Sequence, residues 1–469
     1  MARFYIENFG CRATQADGAA LERQFLDRGL ERAGAARDAQ IVVLNTCTVT
    51  ETADKDARAS IRRLQRVNPD CRILVTGCYA QRAPEELAAL PGVTWVVGNS
   101  HKHQAAEIAT SSLSSSVSAA LSSPPSAPSG FVSLEQLSVA TPPAEVVVGD
   151  IFAHTELLAA PVFEAANERT RPNLKVQDGC DNRCSFCVIP YVRGQSRSLP
   201  LDRVIAEVRT LVDAGYREVV ISGINLGRWG RDLQDDHRLV FLVRAILDQT
   251  SIEKLRISSV EPMDWSDELI SLVASSPRIA KHAHVPLQSG SDAVLRRMHR
   301  RYRPLHYREK ILKIRAAMPT AAIGADVMVG FPGETDVEFA ETQRMIEELP
   351  FTYLHVFTYS ARPGTPAAEH ANQVPVVVAR ERNRVLREIA SRKKATFMQS
   401  LIGTVVEAIT LRIGDANFTE ALTDNYLKMK ISGRHAANCW KAVDIERVNG
   451  EMLVGKSVAA SDSEVHQSE

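Results

Sequence analysis

Residues 180–187 have the sequence Cys180-Asp-Asn-Arg-Cys184-Ser-Phe-Cys187, a C-x3-C-x2-C run. Three thiolates on one short loop suit a [4Fe–4S] cluster and leave its fourth iron without a protein ligand. Structural zinc usually takes four ligands, often as paired C-x2-C units, and no fourth Cys or His lies nearby in the sequence. Three unrelated cysteines are the remaining alternative. The run therefore predicts an iron–sulfur cluster whose open iron can bind the amino and carboxylate groups of S-adenosylmethionine (SAM).

The run lies at the end of the first of six predicted strands, which alternate with amphipathic helices. A strand followed by a helix, six times over, predicts an open or partial (β/α)6 barrel, since the closed form needs eight units. Active sites of such barrels lie at the carboxyl ends of the strands, which is where the cysteines fall. The predicted strands are 173–176, 218–222, 254–258, 282–287, 322–329 and 353–358.

The carboxyl ends of the other predicted strands carry small and polar residues that could line the same pocket. Small residues let the backbone approach a ligand closely, although a glycine-rich loop on its own is more often just a turn. The loop at 329–334 could also stack against adenine. The candidate SAM-binding residues are Gly223, Asn225, Ser258, Glu261, Gln288, Ser289 and Gly330.

A second cysteine triplet is predicted in the first hundred residues. Apolar runs at 4–6, 41–44, 73–75 and 93–97 alternate with helical patterns and predict an open parallel sheet. Cys11, Cys47 and Cys78 each follow one of the first three runs. Because the carboxyl ends of parallel strands share one edge, the fold would bring these thiols together. A second three-cysteine cluster is one interpretation, and small buried hydrophobes are the other. Cys71 and Cys439 are expected to be structural residues rather than cluster ligands.

Composition separates the remaining segments. Half of residues 111–130 are Ser, and no charged residue occurs from 109 to 134, so too little apolar area is available to offset the entropy of ordering. After residue 400, short alternating runs separated by turn signals predict a small all-β domain. The predicted domains are 1–109, an open parallel-sheet domain; 110–165, a linker or insertion; 166–398, the barrel; 399–458, the all-β domain; and 459–469, a disordered tail.

Charge and hydropathy restrict the partners. Lys+Arg and Asp+Glu both number 56, so nucleic acid could bind only at local basic patches. No apolar run approaches the ~20 residues that span a bilayer, and the N-terminus lacks the apolar core of a signal peptide. We therefore expect a cytoplasmic protein with no membrane partner, in which cysteines serve as ligands rather than disulfides.

With both triplets in view, nearly the whole chain resembles the methylthiotransferase family of radical SAM enzymes. The motif sequences are most similar to those of the branch that acts on N6-threonylcarbamoyladenosine in tRNA. The Ser/Pro-rich insertion and the near-neutral all-β domain depart from the pattern of that branch. The motifs are Asn45-Thr-Cys-Thr-Val-Thr50, Val75-Thr-Gly-Cys-Tyr-Ala-Gln81, Val97-Gly-Asn99, Lys175 to Cys180, Tyr191-Val-Arg-Gly194, Ile257-Ser-Ser-Val-Glu261, His284 to Gly290, Leu354-His-Val-Phe357 and Thr423-Asp-Asn-Tyr426.

The resemblance implies a specific chemistry. Cys11, Cys47 and Cys78 would hold an auxiliary [4Fe–4S] cluster carrying a sulfur that one SAM methylates, and the C-terminal domain would be an RNA-binding TRAM barrel. A second SAM, cleaved at the cluster of the 180–187 loop, would give a 5′-deoxyadenosyl radical that takes hydrogen from C2 of adenine. An unactivated aromatic C–H needs such cofactor-derived radical chemistry. A flavodoxin- or ferredoxin-like partner would donate electrons, while the sulfur donor stays unknown. The candidates for binding the substrate carboxylate are Arg193 and Arg197.

Two local basic groups could grip RNA phosphates, although any one of these residues could equally lie on a solvated helix face. The first group is Arg296, Arg297, Arg300, Arg301, Arg303, Arg308, Lys310, Lys313 and Arg315. The second group is Arg380, Arg382, Arg384, Arg387, Arg392, Lys393 and Lys394.

Three alternatives compete with the threonylcarbamoyladenosine substrate. The same chemistry could act on isopentenyladenosine in tRNA or on an Asp of a ribosomal protein. The chain could also be an iron–sulfur electron-transfer protein, but carriers usually ligate all four irons through protein side chains. Two cysteine triplets with an open iron each therefore favour an enzyme.

Overall fold

The computed structural model describes residues 2–111, 143–154, 157, 171–234 and 237–458. The chain divides into two compact units. The first comprises Met1–Ala160, Asp178–Arg197 and Ser360–Thr365, and the second comprises Pro161–Gln177, Ser198–Tyr359 and Pro366–Glu469. The 180–187 loop therefore belongs to the same unit as the N-terminal sheet.

The first unit is built on a six-stranded sheet in the order β2-β1-β3-β4-β5-β6, with parallel pairing between all neighbours. Every residue of the central β3, IVVLNT, is buried, as expected of a strand covered on both faces. The strands are β1 (Arg3–Asn8), β2 (Glu31–Arg32), β3 (Ile41–Thr46), β4 (Arg72–Gly77), β5 (Val93–Gly98) and β6 (Glu145–Val147).

Helices cover both faces of this sheet. The helix at 51–67 begins where the Thr50 side chain accepts a hydrogen bond from Ala53 N at 3.2 Å, and it buries Ala57, Ile61 and Leu64 at helical spacing. The helices of this unit include α1 (Arg12–Asp27), α2 (Glu51–Val67), α3 (Cys78–Arg82), α4 (Pro84–Ala88) and α5 (Ile189–Arg193), and residues 105–111 are also helical.

The strands of the barrel region occur where the sequence predicts them, so the barrel prediction is confirmed. They form a sheet in the order β10-β9-β7-β8 and another in the order β11-β12-β13. Isolated parallel bridges, Leu255 to Ile279 and Ser259 to His284, lie between these two sheets. The strands are β7 (Asn173–Asp178), β8 (Arg197–Ser198), β9 (Glu218–Gly223), β10 (Lys254–Ile257), β11 (His282–His284), β12 (Ala322–Val329) and β13 (Tyr353–Thr358).

The helices of the second unit follow these strands in the expected alternation. The helix at 336–348 carries a capping box, in which Thr335 and Glu338 each bond the other's backbone N–H. The helices are α6 (Leu201–Asp213), α7 (Leu239–Gln249), α8 (Asp267–Ser275), α9 (Asp292–Arg297), α10 (Pro304–Ala317), α11 (Asp336–Glu348) and α12 (Val376–Gln399).

The C-terminal part of the second unit is a closed five-stranded barrel in the order β14-β15-β16-β18-β17. Its interior is filled by apolar side chains such as Met429, Ile431 and Leu453. This confirms the predicted all-β domain, whose architecture fits a TRAM barrel. The strands are β14 (Val405–Gly414), β15 (Phe418–Thr423), β16 (Lys428–Ser432), β17 (Trp440–Asn449) and β18 (Met452–Ser457).

Most of the predicted linker, 110–165, and all of the predicted tail, 459–469, lie outside the described residues. The described part of the linker differs from the prediction, because β6 (Glu145–Val147) pairs with β5 and extends the N-terminal sheet. Within the described ranges, no helix is long and apolar enough to cross a membrane.

Candidate active site

The three N-terminal cysteines lie at the carboxyl ends of adjacent parallel strands. Cys11 precedes α1 just after β1, Cys47 follows β3 directly, and Cys78 begins α3 directly after β4. The registers Asn8 to Asn45 and Thr46 to Gly77 align these three strand ends. The charges of Cys78 and Cys11 both act on the Cys47 thiol, so the fold brings the triplet together as predicted.

The surroundings of Cys47 favour the protonated thiol, so Cys47 would become a thiolate only by binding a metal. Burial first, and then the neighbouring Cys78, raise the pKa of Cys47 to about 12, so the unligated thiol is protonated, and iron would have to displace its proton. Gly10, with φ +92°, brings its backbone close to Cys47: a Cβ built there would lie 2.7 Å from Cys47 Sγ. The triplet thus supplies three sulfur ligands, and the absence of a side chain at Gly10 leaves room beside Cys47.

The described residues include no group of three or more His, Cys, Asp or Glu side chains arranged to hold a metal ion. A four-iron cluster does not need such a group, because each cysteine binds a different iron.

The 180–187 loop is closed at its base. Cys180 N donates to Gly194 O at 3.0 Å, and Cys187 N donates to Cys184 O at 3.1 Å, which makes a tight turn between the last two cysteines. All three cysteines are partly exposed. The loop therefore presents three thiols on one short, backbone-bonded segment that a ligand can reach.

The two cysteine-bearing regions of the first unit are in contact. Cys78 packs with Val188 and Val192, which follow the 180–187 loop. The Asn99 amide donates to Val192 O at 2.7 Å and lies 3.6 Å from Cys78 Sγ. One side chain thus touches both a cysteine of the N-terminal triplet and the helix that follows the loop.

A buried polar cluster also holds the segment after Cys47. Asp54 accepts from Thr48 Oγ1 at 2.6 Å and from Arg82 at 3.1 Å, and it forms an ion pair with Arg362. Arg362 also donates to Thr48 Oγ1 at 2.9 Å. Arg82 lies on α3, the helix that begins at Cys78, so the segments that carry two of the cysteines are tied together.

The candidate SAM-binding residues belong to the second unit and fall at its strand ends. Gly223 closes β9, and a Cβ there would meet Gln177 Oε1 at 2.7 Å. Gln177 also accepts from Asn225 N at 2.7 Å. Ser258 follows β10, and Gln288, with φ +62°, aligns with Val327 in an isolated bridge.

Three of these candidates make contacts within the protein. Glu261 forms an ion pair with Arg300. Ser289 Oγ is 3.1 Å from Thr342 Oγ1 on α11. Gly330 packs against α12, where a Cβ would lie 2.5 Å from Ala379 Cβ. Their contact with SAM stays a prediction.

Arg193 and Arg197, the candidates for binding the substrate carboxylate, both donate hydrogen bonds within the protein. Arg193 is buried and donates to Asp17 at 2.8 Å and to Asp178 at 2.9 and 3.0 Å. Arg197 Nη1 donates to the carbonyls of His154 and Gln195 at 3.3 and 3.2 Å. A role of either side chain in binding the substrate carboxylate stays a prediction.

Several residues of the first basic group form ion pairs or hydrogen bonds within the protein. Arg297 pairs with Glu338, and Arg308 pairs with Glu348, while Lys310 and Arg315 donate to backbone carbonyls. Part of the group thus has partners within the protein, and contact of the group with RNA stays a prediction.

Sequence reasoning missed the buried polar residues around the triplet, above all Asp17, Lys102, Asn99 and Arg362. Asp17 had a detectable signal, because it interrupts the small-residue run Ala16 to Ala20 on an apolar helix face. The others lie in segments without periodicity, and only the tertiary structure brings them to the cysteines.

Comparison with known proteins identifies the family. A family model described as uncharacterized protein family UPF0004 matches residues 3–98, and the radical SAM superfamily model matches 174–346. Threonylcarbamoyladenosine tRNA methylthiotransferase MtaB of Bacillus subtilis (strain 168) is 36% identical over 438 residues, which cover 92% of this chain and 91% of that protein. The chain belongs to the radical SAM methylthiotransferase family.

Other members of this methylthiotransferase family are nearly as similar. The tRNA-2-methylthio-N(6)-dimethylallyladenosine synthase of Novosphingobium aromaticivorans is 32% identical, covering 88% of this chain and 87% of that enzyme. Among solved structures, the radical SAM methyltransferase TsrM of Kitasatospora setae, with cobalamin and a [4Fe–4S] cluster bound, superposes with a TM-score of 0.52 at 15% identity, covering 78% of this chain and 74% of TsrM. That likeness concerns the fold alone.

Proposed function

We propose that this methylthiotransferase acts on tRNA and inserts a methylthio group at C2 of N6-threonylcarbamoyladenosine at position 37, immediately 3′ of the anticodon. The observation that carries the proposal is the match to the Bacillus subtilis enzyme across nine-tenths of both chains. Enzymes of the same name from Aquifex aeolicus and Rickettsia prowazekii are 35% and 34% identical. The dimethylallyladenosine enzymes, at 32–33%, define the second candidate.

Radical SAM methylthiotransferases use SAM and two [4Fe–4S] clusters. In this chain, we assign one cluster to Cys11, Cys47 and Cys78 and the other to the three cysteines of the 180–187 loop. When bound, the auxiliary cluster supplies the sulfur that is transferred, and the cluster of the 180–187 loop supplies the electron that cleaves SAM. An external flavodoxin- or ferredoxin-like protein would provide that electron.

The protein's own residues support this assignment in different ways. The two cysteine-bearing segments share one compact unit, so sulfur delivery and radical generation need not bridge two separately folded parts. Cys47 and Cys78 are buried and Cys11 is exposed, so two of the three thiols of the N-terminal triplet are shielded from water. The cysteines of the 180–187 loop are partly exposed, which leaves access for SAM.

Candidate cations for RNA also lie outside the first basic group. On α12, Arg380, Arg387 and Arg392 are exposed and have no ion-pair partner among the residues that the structure describes. The TRAM-like barrel has a cleft of about 610 Å³ whose lining includes Arg412, Arg434 and His435. Such local patches suit phosphate contacts on a chain of zero net charge.

The experiment that tests the function is nucleoside mass spectrometry of tRNA from cells with and without the gene. The proposal expects 2-methylthio-N6-threonylcarbamoyladenosine to disappear in the deletion strain and to return when the wild-type gene is restored. A copy with Cys180→Ala is the matched control and should not restore it.

Two outcomes would contradict the proposal in different ways. If methylthiolated isopentenyladenosine disappears while the threonylcarbamoyl form persists, the enzyme belongs to the other tRNA branch. If both nucleosides persist and a ribosomal protein loses a methylthio group from Asp, tRNA is not the substrate.

A further inference from the structure

Four charged side chains form a buried network in the first unit, here called the buried network: Asp17, Lys102, Arg193 and Asp178. Asp17 Oδ2 accepts from Lys102 Nζ at 2.9 Å and from Arg193 Nη2 at 2.8 Å. Arg193 Nη1 donates to both oxygens of Asp178 at 2.9 and 3.0 Å. The side chains of Asp17, Lys102 and Arg193 are 2–3% exposed.

Stability alone is a weak reason for such a network. Taking an ion out of water costs several kcal/mol even after relaxation, and apolar replacements of buried ion pairs are often neutral or stabilising. The buried network holds two cations and two carboxylates, so this desolvation cost arises four times within one small region. A functional use of the charge is therefore the better explanation.

Every part of the buried network is attached to a cysteine-bearing segment. Asp17 lies on α1, which begins after Cys11, and Lys102 Nζ donates to Asn45 Oδ1 at 3.3 Å, two residues before Cys47. Asn99, which lies 3.6 Å from Cys78 Sγ, also holds the carbonyl of Val192, next to Arg193. The two cations are thus fixed beside the N-terminal triplet.

Electrostatics agree with this placement. Burial alone would lower the pKa of Arg193, but Asp17 and Asp178, with further contributions from Cys78 and Cys11, hold it well above its usual value. Burial lowers the pKa of Lys102, against the attraction of Asp17 and of Cys78. Arg193 also keeps a buried Nε–H for which the described structure holds no hydrogen-bond acceptor.

We propose that Arg193, oriented by Asp17 and Asp178, is a positioning residue that holds positive charge against the auxiliary cluster and raises its reduction potential. The inference rests on the proposed assignment of that cluster to Cys11, Cys47 and Cys78. Reduction adds one electron and one negative charge to the cluster. A cation held in a low-dielectric interior stabilises the added charge strongly, and net charge and hydrogen bonds to sulfur are among the factors that set cluster potentials.

The experiment isolates the auxiliary cluster in the full-length chain. Replacing Cys180, Cys184 and Cys187 by Ala leaves one reconstituted cluster, whose one-electron potential is measured by titration followed by electron paramagnetic resonance. In this background, Arg193→Gln should make the potential more negative, changing the reduced-to-oxidised ratio at fixed potential at least tenfold, or about 59 mV. Arg193→Lys should keep most of the wild-type value.

Asp17→Asn should change the reduction potential of the auxiliary cluster in the opposite direction. It removes a negative charge while keeping the shape of the side chain, so the potential should become less negative. Arg23→Gln is the matched control: Arg23 is an exposed cation on the same helix as Asp17, and solvent screens it, so the potential should stay unchanged.

Each outcome decides the inference. Opposite shifts in Arg193→Gln and Asp17→Asn support it, whereas no shift in both, or shifts of the same sign, overturn it. If Arg193→Gln does not fold, Asp17→Asn alone decides, and an unchanged or more negative potential overturns the inference. If the background protein carries no cluster, the assignment to Cys11, Cys47 and Cys78 is what fails.

Discussion

At the scale of single residues, Gly10 controls how closely the loop after β1 approaches Cys47. Its φ of +92° lies in the region that side chains disfavour, and a Cβ there would lie 2.5 Å from Cys47 Cβ and 2.7 Å from Cys47 Sγ. A real Cβ cannot be accommodated at either distance unless the loop or the cysteine moves.

We therefore expect Gly10→Ala to lose the auxiliary cluster and to keep the SAM-cleaving cluster. Iron per monomer should fall by about four after reconstitution, while reductive cleavage of SAM continues. Gly29→Ala is the matched control, since Gly29 has φ +76° but nothing within 4 Å of its Cβ position. Full iron content in Gly10→Ala would show that this close approach is not needed for the cluster.

The residue scale also shows how far the sequence could go. Cysteines at strand ends can be located from the strand pattern, because the sheet edge places them without further information. Arg193 could not be assigned in the same way. Its neighbours in sequence suggest a free cation after the 180–187 loop, but its partner Asp17 is 176 positions away, and nothing local marks that contact.

At the scale of elements, α12 contributes a buried arginine to the loop at 330–334. Arg382 donates to Glu334 Oε2 at 2.7 Å and to Glu334 O at 3.0 Å. The same Glu334 oxygen accepts from Gly330 N at 2.7 Å. Arg382 is one of the residues of the second basic group, and in the structure it binds the loop at 330–334.

Arg382→Met should destabilise the protein by about 3–5 kcal/mol, because it leaves a buried carboxylate without its cation. Burial already raises the pKa of Glu334, against the N–H of Gly330 and the charge of Arg382, and losing the arginine raises that pKa further. A carboxyl whose pKa is higher in the folded state binds more protons when folded, so it favours folding at low pH and loses that contribution as pH rises through the folded pKa.

The melting temperature of Arg382→Met relative to wild type is the measurement. Its deficit should be larger at pH 8 than at pH 5, and Arg382→Met combined with Glu334→Gln should recover part of the loss. A deficit that does not vary with pH and is unchanged in the double variant would show that packing, rather than the buried charge, is responsible.

The length of a strand decides whether the sequence can predict its position. Strands such as β9 and β12 carry six to eight apolar-rich residues and were located to within about two residues. β2 and β6 have two and three residues, too few to show any periodicity, and β6 follows a Ser/Pro-rich stretch. Such short edge strands form because a neighbouring strand offers unpaired backbone groups, which is tertiary information.

At the scale of the whole molecule, the two cysteine triplets belong to one compact unit although they are separated by about a hundred residues of sequence. Asp178–Arg197 carries the 180–187 loop, and it follows β7 of the barrel region directly in the chain. In sequence, the two triplets fall in different predicted domains, 1–109 and 166–398, and in the structure both belong to the first unit.

The final prediction concerns iron content. Two [4Fe–4S] clusters require about eight irons per monomer after anaerobic reconstitution. Cys180→Ala should lose about four irons and all SAM cleavage, whereas Cys47→Ala should lose about four irons and keep SAM cleavage, because each variant removes a ligand from only one triplet. Cys71→Ala and Cys439→Ala are the controls: Cys71 is buried in an apolar core of the first unit, and Cys439 lies beside Thr410 of β14, so both variants should keep all eight. Only about four irons in the wild-type protein, or loss of iron in the control variants, would contradict the assignment of one cluster to each triplet.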